Sequence, residues 1–173
     1  MQSGNFLRNI WIIMKREFSG YLGTPVAYVF IVIFLLLTGF FTFYIIKFFE
    51  AGQADLKGFF QWHPWLFMFL VPAVAMRLWA EERRLGTIEL LLTMPVTVTD
   101  VVLGKFLAAR CFIGIPLALT FPLVLTTMYL GRPDLGVIFC ANLGSFLLAG
   151  TFLSVGSMTS ALTRSQVVSF ILA

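Results

Sequence analysis

The stretch from Val26 to Ile46, VAYVFIVIFLLLTGFFTFYII, runs for 21 residues without a charge. As an α-helix at about 1.5 Å per residue it reaches ~31 Å, enough to cross a hydrocarbon core of ~30 Å. Pro25 stands just ahead of it, where a missing N–H costs a helix little. The composition agrees with a spanning segment. Of 173 residues, 60% are hydrophobic, 16% aromatic and 12% charged, and the mean hydropathy is +0.95. Soluble domains carry about 25% charged residues. So few charges cannot cover a soluble globule, and so much apolar content excludes disorder. The chain reads as an all-α polytopic membrane protein.

Four further apolar runs follow: about Phe59 to Met76, Phe106 to Leu130, Leu135 to Leu162, and Gln166 to the last residue, Ala173. The first three are long enough to span; the last is not, because spanning takes roughly 20 residues. The expectation is one membrane domain over residues 1–173, with four complete transmembrane helices (26–46, 59–76, 106–130, 135–162) and the start of a fifth at 166–173. A chain ending inside an apolar run leaves backbone polar groups at membrane depth. The sequence is therefore expected to be a fragment of a longer protein.

Residues 5–22 have a different pattern. Phe6, Leu7, Ile10, Trp11, Met14, Phe18, Tyr21 and Leu22 share one helical face; Arg8, Asn9, Lys15, Arg16 and Ser19 share the other, with Ile12 an exception. Such a helix is expected to lie in the membrane plane. It is not a cleavable signal, since the apolar run starts late and lacks a small-x-small site.

Basic residues set the orientation. With the N-terminus in the cytoplasm, inside segments hold Arg8, Lys15, Arg16, Arg77, Arg83, Arg84, Lys105, Arg110 and Arg164, and outside segments hold only Lys47, Lys57 and Arg132. The expected location is the plasma or inner membrane. Gly131-Arg132-Pro133-Asp134 is a short outer turn. Cys111 and Cys140 flank it at depths ~20 Å apart by helix rise, too far for a disulfide, and are expected to be small buried hydrophobes.

Sites of chemistry are scarce. The spans hold almost no ionisable residue; Arg110 is the one candidate, within a turn of the cytoplasmic boundary, where it can snorkel. His63, between Trp62 and Pro64, is expected in an aromatic belt at the outer interface. Ion-coupled transporters carry midplane charges, and these spans do not. Gly-x-Ser-x-Gly and His-Glu-x-x-His are absent; the one Gly-Lys, Gly104-Lys105, has Thr99 where a phosphate loop needs glycine and Phe106 where it needs Ser or Thr. One histidine and two cysteines make no metal cluster, and no basic window is interleaved with exposed aromatics. No enzyme, cofactor, metal or nucleic-acid partner is expected.

The densest charge lies between the second and third spans, in the cytoplasmic segment 77–100. Glu81, Glu82, Arg83, Arg84 and Glu89 crowd nine positions; Leu85 and Ile88 to Leu92 add an apolar face, stopped by Pro95. Thr97-Val98-Thr99-Asp100 has capping-box form. A solvated loop need not expose Ile and several Leu, so a short docking helix is expected.

"MRLWAEERRLGTIELLLTMPV" followed by "VLGKFLAAR" resembles the ABC-2 type permeases of ATP-binding cassette transporters, those described as gliding-motility-associated most of all. The likeness extends through "REFSGYLGTPVAYVF", "PWLFMFLVPAVAMRLWAEE", "GRPDLG" and "LTRSQVVSFILA", nearly the whole chain. It implies six spans in the full protein, an in-plane elbow helix matching 5–22, and a segment that couples to a separate ABC ATPase subunit through Glu81, Glu82, Arg83, Gly86, Thr87, Glu89 and Leu91. It also implies a second permease copy or paralogue. The expected function is the membrane permease of an ATP-driven transporter, acting in export. The rival readings are a non-transporting assembly subunit and a secondary transporter whose coupling residues lie beyond Ala173.

Overall fold

A computed structural model of the chain describes residues 3–48, 50, 55–86, 97–163 and 165–173. Of residues 3–5, 81, 84 and 85 it describes the backbone alone. Every element within these residues is helical.

Helix α1 (Ser3–Leu22) turns through Gly23 and Thr24 into α2 (Pro25–Phe40). Thr24 is extended, and its hydroxyl donates to the Tyr21 carbonyl at 2.9 Å, closing the turn. α2 runs on into a π-helical turn, Phe41–Ile45, where the Thr42 hydroxyl donates back to the Thr38 carbonyl at 2.7 Å. Helix α3 (Lys57–Ala75) continues through Pro64 and Pro72. A turn over Met76–Trp79 leads to α4 (Ala80–Leu85), which stops at Gly86 with φ 69°, a left-handed conformation favouring glycine.

Helix α5 (Val98–Ala118) begins with the expected capping box: Asp100 N–H donates to Thr97 Oγ1 at 3.2 Å, and Thr97 N–H to Asp100 Oδ2 at 3.3 Å. The third apolar run is not one straight helix. It breaks at Leu119 and Thr120 and resumes as α6 (Phe121–Leu130). Pro122 has no N–H for the Ala118 carbonyl and its ring crowds that turn. The Thr120 hydroxyl donates to the Leu117 carbonyl at 2.7 Å, closing the last turn of α5. Helix α7 (Leu135–Leu162) is capped by Asp134, whose Oδ1 accepts from the N–H groups of Gly136 (2.9 Å) and Val137 (3.3 Å). Helix α8 (Gln166–Leu172) is short.

Three stretches among the described residues are helical, long and apolar enough to cross a membrane: Pro25–Ile45, Val98–Leu130 and Leu135–Leu162. The chain is a multi-pass, all-α membrane protein. The second expected span coincides with α3, which is not one of the three; Gln61, His63 and Pro64 dilute the apolar character of its first half.

The core lies where α2, α3, α5 and α7 meet: Phe34, Phe67, Val71, Ala109, Phe112, Ala149 and Leu153 are all buried there. Small residues bring backbones close. A Cβ on Gly156 would stand 2.5 Å from the Cβ of Ala75, which fixes α7 against α3. A Cβ on Gly104 would stand 2.7 Å from Ile13 Cγ2, which fixes α5 against α1. These two helices run parallel: Asn9 bonds to Asp100, Ile13 meets Gly104, and the Tyr21 ring stacks on Phe112 at 5.3 Å. The axis of α1 therefore follows α5, and the apolar face read from the sequence divides. Ile10 is buried, while Leu7 and Trp11 stay exposed. Both cysteines are free, but they are exposed on the outside of the bundle rather than buried in it. On a chain with this much apolar surface to place, small hydrophobes are not confined to the core.

Candidate functional site

The candidate site is the junction at which α4 enters the bundle. Trp79 precedes α4 and offers no side-chain cap, so its first N–H groups need another acceptor. Ser160 of α7 supplies it. Its Oγ accepts from the N–H of Trp79 and of Ala80, both at 3.1 Å, and donates to the Met76 carbonyl at 3.1 Å. With its residue fully buried (0% exposed), one hydroxyl ties the α3–α4 turn to α7.

Beside this staple lies a charge cluster. Lys105 of α5 has a side chain only 3% exposed. Its Nζ stands 2.7 Å from Glu82 Oε1 of α4 and 3.3 Å from Glu17 Oε1 of α1. The Trp79 ring completes the surround, its centroid 5.6 Å from Nζ. A buried ammonium is costly unless paired, and these two carboxylates supply the pairing. One cation thus joins three helices that are far apart in the chain.

Of the seven residues expected to couple to an ATPase, Glu82 faces this cluster, Arg83 is exposed to solvent, and Gly86 ends α4. Glu81 lies on α4, with only its backbone described. Thr87, Glu89 and Leu91 lie outside the described residues, as does Pro95. The sequence reading missed Lys105, Glu17 and Ser160. Lys105 carries a signal, since it interrupts an apolar run beside a glycine, but the sequence does not say which carboxylates stand opposite it. Ser160 carried none, because a serine on a spanning helix looks the same whether or not it caps a neighbour.

Two expectations within the bundle are corrected. His63 does not face the outer interface. It is buried at 1% exposure, with the rings of Phe59 and Phe67 4.5 and 5.5 Å away and Nδ1 2.8 Å from Ser145 Oγ of α7. A polar ring on α3 needs a partner inside the bundle, and Ser145 is within reach. Arg110 does not snorkel to the cytoplasmic boundary either. Its guanidinium lies over the Phe146 ring, 4.8 Å from the centroid, and beside Gly150, against the middle of α7.

Above the junction, an apolar groove between α2 and α3 is lined by Ile33, Leu70 and Val74 and closes against Phe112. Among the described residues no three His, Cys, Asp or Glu side chains converge as a metal-binding set. The arrangement is one of packing and charge pairing.

No curated protein and no solved structure matches the chain. The family model described as "ABC-2 family transporter protein" matches residues 11–173, which take in α1 from Trp11 onward, every later helix described and the α4 junction. Members of this family are membrane components of transport systems and are not themselves catalytic; the chain belongs to the ABC-2 transporter family.

Proposed function

We propose that the chain is the permease subunit of an ATP-driven exporter, powered by a separate ATPase subunit that docks on the cytoplasmic segment 77–100. The observation that carries this reading is the pairing of Lys105 with Glu82 and Glu17. A docking element has to pass force to the spans. Glu82 sits on the docking segment, Lys105 on a span and Glu17 on the elbow helix, and Ser160 links the same segment to a second span. A ligand shifts a conformational equilibrium only through differential affinity for its two states. Closure of an ATP-bound ATPase dimer would favour the state in which α4, α5 and α7 have moved together, opening a path between this subunit and a second copy or paralogue. In this arrangement α3 is the fourth complete span, the N-terminus is cytoplasmic, and the host membrane is the plasma or inner membrane.

The test uses the family's coupling positions. Removing a buried leucine contact costs about 2–5 kcal/mol, and reversing a charge strands its partner. Glu89→Lys and Leu91→Asp lie outside the spans, so membrane abundance stays near that of the parent. Co-purification with the ATPase subunit, or transport per ATP hydrolysed, falls. Normal co-purification and normal transport in both variants would reduce residues 81–95 to a linker.

A further inference from the structure

We propose that Arg110 is an intramembrane anion site that receives the phosphate headgroup of an amphiphilic substrate. The proposal rests on the transport reading above and names the class of substrate. Gly150 is ten residues from Ser160 along α7, about 15 Å at helical rise, or half of a ~30 Å hydrocarbon core. Arg110 lies at that level: its Cζ and Nε are each 3.5 Å from where a Gly150 Cβ would stand. The guanidinium thus lies at ordinary contact distance from α7.

A guanidinium stays charged in any protein environment, so this cation cannot be neutralised by losing a proton. Phe146 offers its ring face, which is a partial compensation. The Nε atom is buried and has no hydrogen-bond partner among the described residues. Among the described side chains no carboxylate lies at this depth: Glu17, Glu50, Asp55, Glu82, Asp100 and Asp134 all fall near helix ends or in turns, so a second copy of these residues brings no counter-charge there either. An unpaired cation inside the hydrocarbon region is expensive and marks a ligand pathway. The guanidinium fork matches phosphate oxygens two at a time. An anionic headgroup crossing the bilayer meets its largest barrier at mid-depth, where this charge stands. The flanking surface of α7, including Leu143 and Leu147, is exposed and apolar, which suits a ligand with an apolar tail.

The experiment measures binding to the purified full-length permease in a neutral maltoside detergent, by native mass spectrometry, without ATPase or ATP. Failure of the docking reading therefore appears in co-purification and not here. The probes are dodecyl phosphate, dodecyl maltoside as uncharged background, and inorganic phosphate. The parent protein should bind dodecyl phosphate saturably. Arg110→Gln should weaken that binding at least tenfold, and Arg110→Lys should retain part of it. Inorganic phosphate should not compete. Equal binding by Arg110→Gln, or no saturable binding by the parent, overturns the proposal; displacement by inorganic phosphate overturns the amphiphile class. Should Arg110→Gln misfold, Arg110→Lys decides. If it restores folding and binds dodecyl phosphate as the parent does, the guanidinium fork plays no part and the proposal fails.

Discussion

Lys105 and Glu82 stand 23 positions apart, Glu82 within the charged segment 77–100 and Lys105 beyond it, yet their charged atoms meet at 2.7 Å. The contact joins the start of a spanning helix to the expected docking segment. Among the described residues the hydroxyl of Ser160 makes a second such link, from α7.

If Lys105 couples these elements, its energy is shared with Glu82 and not additive with it. A double-mutant cycle of Lys105→Met and Glu82→Gln should give an interaction of about 0.5–3 kcal/mol, read as thermal stability of the detergent-solubilised protein. Both carboxylates are partly exposed, which places the value below that of a fully buried pair. Additivity within ~0.5 kcal/mol would mean that the contact carries no coupling.

Ser160→Ala leaves the N–H groups of Trp79 and Ala80 without their acceptor. Stranding a buried donor costs about 1–3 kcal/mol. Hydrogen exchange at these two amides should speed up by tenfold or more, while amides in the middle of α7 keep their protection. Unchanged exchange at both positions would remove Ser160 as the staple.

Gly156 and Ala75 predict a reciprocal effect. Gly156→Ala forces a Cβ to within 2.5 Å of the Ala75 Cβ, and overpacking of this kind costs about 1–3 kcal/mol. Ala75→Gly should recover most of that loss in the double variant. A Gly156→Ala protein melting at the parent temperature would show that α3 and α7 are not in close contact.

Orientation is open to cysteine labelling once Cys111 and Cys140, both exposed, have been replaced. An impermeant maleimide should label Ala54→Cys in intact cells, and should reach Leu85→Cys only after permeabilisation. Labelling of Leu85→Cys in intact cells would invert the topology drawn from the basic residues.

The sequence alone determined the elements that depend on local patterning. An uncharged run the length of a bilayer must become a helix, because backbone groups in hydrocarbon have no other partner. That argument located the helices over 26–46 and 135–162, and the capping box at Thr97 and Asp100 needed no more than neighbours three residues apart. The break within 106–130 was half visible, in Pro116 and Pro122, but the helix continues through Pro116 and breaks only ahead of Pro122, at Leu119–Thr120.

Tertiary structure alone decided the rest. Whether His63 faces a membrane interface or Ser145, whether Arg110 reaches outward or lies across Gly150, and which carboxylates hold Lys105 all depend on how helices distant in sequence pack. A hydropathy pattern says that a residue lies on a span; it does not say which neighbour stands opposite. Within the bundle Thr42 turns back to a carbonyl of its own helix, while His63, Ser160 and Lys105 take their roles from neighbours on other helices, because a buried polar group needs a partner within reach.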